Sequence, residues 1–384
     1  MLTTTVTLRA QSPLRAGALV DSSTPERTIT APPLAGPHAV GRRFFVWTDS
    51  SRRDPVDTAR SRELALWIWY PAESSSPSIG EPILDERWGA RRIERLAAKL
   101  GPAVARAAGE LRVHARADAP LLIGDAKLPL LLFTPGLGWL ASDYNVLLED
   151  LASHGYVVAG LAPPGFADVV CFPDGRETVR TLGVGERIGT DQRIVHEDAL
   201  FALRRLRALV ADRRSFLHDR VDLARVGTLG HSLGGTTSLV LAARDSGVRA
   251  AVNIDGDPMG DVVAIRPRQP LLLVSSESPS IDEAPPGNSA EHMSLVRQGL
   301  ERSEKRRTDD WLRISAGARE ARRVVILGTR HLNFEDAALA SAWLVTPKER
   351  WMRVGPIDGA YGLTRTSELL REFFDRTLRP MMRY

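Results

Sequence analysis

One short stretch limits the folds open to this chain. Val226-Gly227-Thr228-Leu229 is a short apolar run that leads into Gly230-His231-Ser232-Leu233-Gly234-Gly235. Thr236-Thr237-Ser238-Leu239-Val240-Leu241 then leaves with helical apolar spacing. A strand that turns into a helix through so few residues brings the two backbones together, so the positions two residues either side of the tip must be small. Gly230 and Gly234 meet that demand without steric cost. Ser232, at the tip, is expected in strained backbone geometry. A surface turn that merely carries a serine needs neither the strand before it nor the helix after it. The unit therefore predicts an architecture in which strands hand over to helices, with Ser232 as a nucleophile.

The rest of the chain keeps that rhythm. Residues 130–133, 156–161, 250–254, 270–274 and 324–327 read as buried strands, and residues 144–155, 194–210 and 367–378 as helices. Such alternation implies an α/β fold whose mostly parallel sheet is covered on both faces. Arg43-Phe44-Phe45-Val46-Trp47 and residues 63–70 are rich in aromatic and β-branched residues. They read as two antiparallel strands joined by a polar hairpin loop over 49–62. The expected layout is a flexible arm over 1–35, rich in Thr, Ser, Ala and Pro, and a single domain over 36–384. Two stretches, about 81–118 and 277–320, break the rhythm and are expected as helical, cap-like excursions. The first reads equally as a helical pair packed on the surface and as a cap over a site entrance.

Charge and composition exclude several classes of function. The 51 basic and 47 acidic residues leave a net charge of +4 with no long basic block. The arginine pairs are scattered and lack interleaved aromatics, so nucleic acid is not an expected partner. Cys171 is the only cysteine, which rules out an intrachain disulfide, and its apolar neighbours mark it as packing. No apolar run approaches membrane-spanning length, and no h-region precedes a small-residue cleavage site. The default expectation is a cytoplasmic protein without a transmembrane segment.

A serine hydroxyl needs a base, and the base needs a group that orients it. In a parallel sheet both should lie just past the carboxyl ends of strands, in the order serine, acid, histidine. Asp255 comes first off the strand at 250–254, with Asp257 two residues on as the alternative acid. Of the eight histidines, His38 and His114 precede the core and His154 and His196 lie on helices. His218 is in a polar loop, His231 in the elbow and His292 in a helical insert. His331, in the loop after the strand at 324–327, occupies the slot where the base belongs. Amides to hold an oxyanion are expected from Leu233, set by the turn, and from Leu137 in Pro135-Gly136-Leu137-Gly138.

The ordered set is more specific than the elbow alone. Trp67-Ile68-Trp69-Tyr70-Pro71-Ala72, Thr134-Pro135-Gly136-Leu137-Gly138, Ala152-Ser153-His154-Gly155-Tyr156-Val157-Val158, Phe172-Pro173-Asp174-Gly175, Gly230 to Gly235, Asp255 and His331-Leu332-Asn333-Phe334 follow one another. From about Gly36 to the C-terminus this series resembles the platelet-activating-factor acetylhydrolase family of α/β-hydrolases and its bacterial esterase relatives. The resemblance implies an α/β-hydrolase fold with Ser232 as nucleophile, Asp255 as acid, His331 as base, and the amides of Leu137 and Leu233 as the oxyanion hole. It implies a small-molecule ester substrate with a short acyl chain, phospholipid-like esters included, and no metal or organic cofactor. Family members commonly carry a histidine before the Gly-Leu-Gly of the oxyanion loop, where this chain has Pro135. Acyl transfer, hydrolysis of another ester, lactone, thioester or amide, and a non-catalytic binding role remain open readings of the same fold.

Overall fold

Alternating strands and helices build a ten-stranded sheet. The computed structural model describes residues 4–8, 31–73, 80–82, 86–124, 126–287, 289–340 and 346–379. In chain order the strands of the main sheet are β1 (Thr4–Leu8), β2 (Ala39–Arg53), β3 (Ser61–Ala72), β4 (Arg116–Ala117), β5 (Leu128–Thr134), β6 (Val157–Ala162), β7 (Val221–His231), β8 (Val248–Ile254), β9 (Leu271–Ser276) and β10 (Ala321–Ile326). Across the sheet they run β1-β10-β9-β8-β7-β5-β6-β3-β2-β4. Every neighbouring pair from β1 across to β6 is parallel. β3 pairs antiparallel with both β6 and β2. This is the mostly parallel α/β architecture expected from the sequence.

The longer helices are α1 (Glu86–Leu100), α2 (Pro102–Glu110), α3 (Asn145–Ser153), α4 (Ile188–Ala211), α5 (Leu233–Arg244), α6 (Ala290–Ser315) and α7 (Gly359–Leu378). The period-two alternation of strand side chains divides the core between the faces. In β9, Leu272 and Val274 join the cluster holding Leu147 and Leu151 of α3 and Leu370 and Phe374 of α7. Leu271 and Leu273 join the opposite cluster, with Leu203 and Leu206 of α4, Leu239 of α5 and Trp311 and Ile314 of α6.

Four details differ from expectation. Half of the polar stretch 49–62 is strand, leaving 54–60 as loop. One of its charges is buried and paired rather than solvated: Arg62 reaches Asp198 on α4 at 2.6 Å and Asp54 at 2.8 Å. The final helix starts at Gly359, well before 367, with Asp358 accepting the N–H of Tyr361 at 2.9 Å as its cap. Gly359 and Gly362 hide that start in the sequence. The stretch 277–320 is less of a cap than expected, because the end of α6 packs on the sheet through Trp311 and Ile314. Within the expected arm, Thr4–Leu8 forms an edge strand against β10, as its β-branched composition allows. Residues 1–3 and 9–30 lie outside the described residues.

Candidate active site

The turn between β7 and α5 has the geometry that its glycines were expected to permit. Ser232 sits at φ 54° and ψ −119°, a left-handed backbone for a residue with a side chain. Such a conformation costs of order 1–3 kcal/mol and persists only where its surroundings enforce it. A Cβ on Gly230 would lie 2.4 Å from the Gly234 carbonyl, and one on Gly234 would lie 1.8 Å from the Thr134 oxygen. The Ser232 N–H donates to Ile254 O at 2.8 Å, so the strained residue is tied to β8.

The structure brings Asp255 and His331 to this serine. His331 Nε2 lies 3.0 Å from Ser232 Oγ, and His331 Nδ1 lies 2.8 Å from Asp255 Oδ2. Asp255 also accepts from the Ser276 N–H and hydroxyl, each at 2.8 Å, and from Arg307 Nη1 of α6 at 3.1 Å. Burial alone would raise the Asp255 carboxyl. The hydrogen bond and charge of His331, with Arg307 and the Ser276 amide, outweigh burial and hold it well below the usual carboxylate range. An ionised Asp255 favours the proton on His331 Nδ1, leaving Nε2 to accept from the serine. The turn that carries His331 is braced by Asn333, whose side-chain oxygen accepts the N–H groups of Arg330 and Gly355 at 2.6 and 2.7 Å. Asp257, the alternative acid, is exposed, and its carboxylate lies 3.7 Å from Arg307 Nε.

The loop after β5 lies alongside the start of α5. The side chains of Leu137 and Leu233 share an apolar cluster with Phe166, Leu182 and Val195. The amides either side of Leu137 are tied down: Gly136 N–H donates to Tyr144 Oη at 3.2 Å, and Gly138 N–H donates to Phe166 O at 2.9 Å. Pro135 therefore sits in a loop whose path is set by its neighbours.

Behind the serine lies a buried polar floor. His231 packs against His331, with ring centroids 4.6 Å apart and the rings tilted by 39°, and its Nδ1 is 2.8 Å from Tyr144 Oη. Glu335 is fully buried, with neither carboxyl oxygen in a hydrogen bond, and burial pushes its carboxyl well above the usual range. From α1, Arg92 pairs with Asp143, while Lys99 lies 3.8 Å above the Trp139 ring and 3.5 Å from Asp168. The first helical excursion is thus anchored against the segments flanking the Leu137 loop. Among the described residues, no group of three or more His, Cys, Asp or Glu could hold a metal ion, and no helix is long and apolar enough to cross a membrane.

Comparison with known proteins agrees with this architecture. A family model described as platelet-activating factor acetylhydrolase, isoform II, matches residues 23–162, and one described as PET hydrolase-like matches residues 123–306. Platelet-activating factor acetylhydrolase of Cavia porcellus is 26% identical over 276 residues, which are 65% of this chain and 61% of that protein. The protein of the same name from Canis lupus familiaris is 28% identical over 197 residues, 44% of each chain. The chain is similar to these acetylhydrolases and has the α/β-hydrolase fold. It spans less than two thirds of the length of these curated relatives. A solved structure titled as a ferulic acid esterase from Streptomyces cinnamoneus superposes with a TM-score of 0.71 at 26% identity, covering 92% of this chain and 94% of that one.

Sequence reasoning passed over four groups at this site: Ser276, Arg307, Tyr144 and Glu335. Ser276 ends β9 beside Asp255, a position that sheet order would have marked. Arg307 arrives from a helix dense in charge, where nothing singles it out. Tyr144 and Glu335 lie close after the oxyanion loop and His331, but their contacts cross the fold.

Proposed function

We propose that this α/β-hydrolase is a serine carboxyl-ester hydrolase acting through an acyl-enzyme, with Ser232 as nucleophile, His331 as base and Asp255 as the group that orients it. The observation that carries this reading is the hydrogen-bonded line from Ser232 Oγ to His331 Nε2 at 3.0 Å and from His331 Nδ1 to Asp255 Oδ2 at 2.8 Å, with the serine held at φ 54°.

The steps follow from that line. The serine hydroxyl gives its proton to His331 Nε2 as Oγ bonds to the ester carbonyl carbon, and the carbonyl oxygen becomes an oxyanion. The N–H groups of Leu137 and Leu233 hold that charge, the interaction that accounts for much of the acceleration in such sites. When the tetrahedral centre collapses, the C–O bond to the alcohol breaks and His331 passes its proton to the departing oxygen. Water repeats the sequence on the acyl-enzyme, releasing the acid and restoring the serine.

The names of the relatives favour short-acyl, phospholipid-like esters. The structural neighbour that spans nearly the whole chain is titled as a ferulic acid esterase, which favours esters of aromatic acids as a second reading. The test is a panel of nitrophenyl esters of acetate, butyrate and octanoate with an aromatic-acid ester, run on wild type, Ser232→Ala, Asp255→Asn and Asp257→Asn. Ser232→Ala is expected to be inactive, and Asp255→Asn to lose about 10⁴-fold in kcat. Asp257→Asn should stay within severalfold of wild type. Activity surviving Ser232→Ala, or failure of a fluorophosphonate to label Ser232 in folded protein, refutes the mechanism. A loss in Asp257→Asn exceeding that in Asp255→Asn reassigns the acid.

A further inference from the structure

Two buried groups have no task in the mechanism above, and the inference that follows rests on that hydrolase reading. Tyr144 and His231 are both fully buried. Tyr144 follows the loop that carries Leu137 and packs its ring on Phe133 of β5, with centroids 4.7 Å apart. His231 immediately precedes Ser232, and its ring lies under that of His331 at 4.6 Å and 39°. The phenol joins the two: Tyr144 Oη accepts the Gly136 N–H at 3.2 Å and lies 2.8 Å from His231 Nδ1. Gly136 permits this close approach, since a Cβ there would stand 3.1 Å from His231 Nδ1 and 3.3 Å from Tyr144 Oη.

The proton on the phenol sets the sense of the chain. Burial pushes the Tyr144 hydroxyl well above its usual value, so it keeps its proton. Burial, reinforced by the neighbouring His331, pushes His231 well below its usual value, so its ring is neutral. A hydroxyl that accepts from Gly136 has its own proton left to give, and His231 Nδ1 is the acceptor within reach. When the phenol donates to Nδ1, His231 carries its own proton on Nε2, a buried nitrogen with no hydrogen-bond partner among the described residues. Hydrogen bonds then run without a break from the oxyanion loop, through Tyr144, to the residue on which the base rests. Glu335, whose Oε1 is 3.7 Å from His231 Nδ1, lies too far away to compete for that nitrogen.

We propose that Tyr144 and His231 are positioning residues for this reaction: as one unit they set the Leu137 amide and the His331 ring against Ser232. Neither touches the reacting atoms. The neutral ring, tilted 39° against that of the base, does not oppose the charge His331 takes on when it accepts the serine proton. The phenol ties the oxyanion loop at Gly136, one residue before Leu137. Displacements well under an ångström in either element are enough to cost rate without costing binding.

The test is a double-mutant cycle on a short-chain nitrophenyl ester, using Tyr144→Phe, His231→Leu, the double variant and His231→Gln, with thermal unfolding measured for each. Tyr144→Phe is expected to lose about tenfold to a hundredfold in kcat with KM within about twofold of wild type. His231→Leu should lose a similar factor, and the double variant no more than the worse single, because the two act as one unit. His231→Gln, whose side-chain oxygen can take the Tyr144 proton, should recover most of the rate. Tyr144→Phe within twofold of wild type in kcat, losses that multiply in the double variant, or a loss confined to KM would each overturn the proposal. A wild type that hydrolyses the ester and labels at Ser232 beside an unaffected Tyr144→Phe removes only this proposal. A wild type that does neither removes the hydrolase reading as well.

Discussion

Replacing Arg307 with methionine should move the acid limb of the pH–rate profile towards higher pH. Arg307 Nη1 stands 3.1 Å from Asp255 Oδ1, and Asp255 Oδ2 stands 2.8 Å from His331 Nδ1. Adding these to the roughly 2 Å between the two carboxylate oxygens puts the guanidinium about 8 Å or less from the imidazole, where two unit charges at an effective dielectric of about 20 repel by about 2 kcal/mol or more. The His331 side chain is 44% exposed, and solvent screening lowers that to about 1 kcal/mol. The sign follows from the charge: the guanidinium opposes positive charge at the site and helps hold the Asp255 carboxyl down, so its removal moves the acid limb to higher pH. Asp257 and Glu304, which lie 3.7 and 3.1 Å from the guanidinium, lose their cation at the same time and push the limb the same way. His231 beneath the ring is uncharged and is unaltered by the change. The expected result is a rise of about 0.5 to 1 pH unit in the midpoint of kcat/KM on the acid side. At the alkaline plateau the rate should stay within severalfold of wild type, since Ser276 still holds Asp255. The assay is kcat/KM for a nitrophenyl ester from pH 5 to 9 at constant ionic strength, with Arg307→Lys as the charge-preserving control. A midpoint that stays put, falls, or shifts equally in Arg307→Lys would refute the electrostatic argument.

Gly234→Ala should cripple folding rather than chemistry, because its Cβ would stand 1.8 Å from the Thr134 oxygen, a backbone atom that cannot step aside. A loss of several kcal/mol, on the order of the worst overpacking effects, is expected in denaturant unfolding, and a variant of near-native stability would contradict the packing. Glu335→Gln should flatten the pH dependence of stability. Burial raises the folded Glu335 carboxyl well above the value of about 4.3 that it has when unfolded. Above that value the unfolded chain releases a proton that the folded chain keeps, so this group's contribution falls as pH rises. Asp336, pushed up to about 7 by burial, adds to the same decline in both proteins. Melting temperatures from pH 4.5 to 8 should therefore drop less steeply in Glu335→Gln, and equal slopes would disprove the reasoning.

What could be read from the sequence was what depends on near neighbours. The elbow is a local demand on backbone space, so Gly230, Ser232 and Gly234 announce it without help from the fold. Asp255 and His331 could be found because strand order dictates where loops converge. The turn at 49–62 was misjudged for a different reason. Its Asp and Arg residues resemble a solvated loop, but Arg62 is buried against Asp198, which lies 136 residues away in sequence. Composition cannot distinguish a charge that faces water from one whose partner arrives across the core. The same limit hid Arg307, Tyr144 and Glu335, whose positions follow from packing between distant segments.

Ser232 and Asp255 both have left-handed backbones, at φ 54° and 50°, and each is secured in the same way. The Ser232 amide donates to the last residue of β8, Ile254, at 2.8 Å, and the Asp255 amide donates to Val274 of β9 at 2.7 Å. The strained residues form a staircase in which each tread rests on the next strand, descending towards β10 and the edge strand β1. Heat or denaturant that frays the sheet from that edge would release Asp255 first and Ser232 after it, while β5, β6 and the antiparallel hairpin still hold. Under such fraying the site would depend on the strands that lead away from the serine, so that stabilising β9 and β10 would protect it as directly as reinforcing the elbow itself.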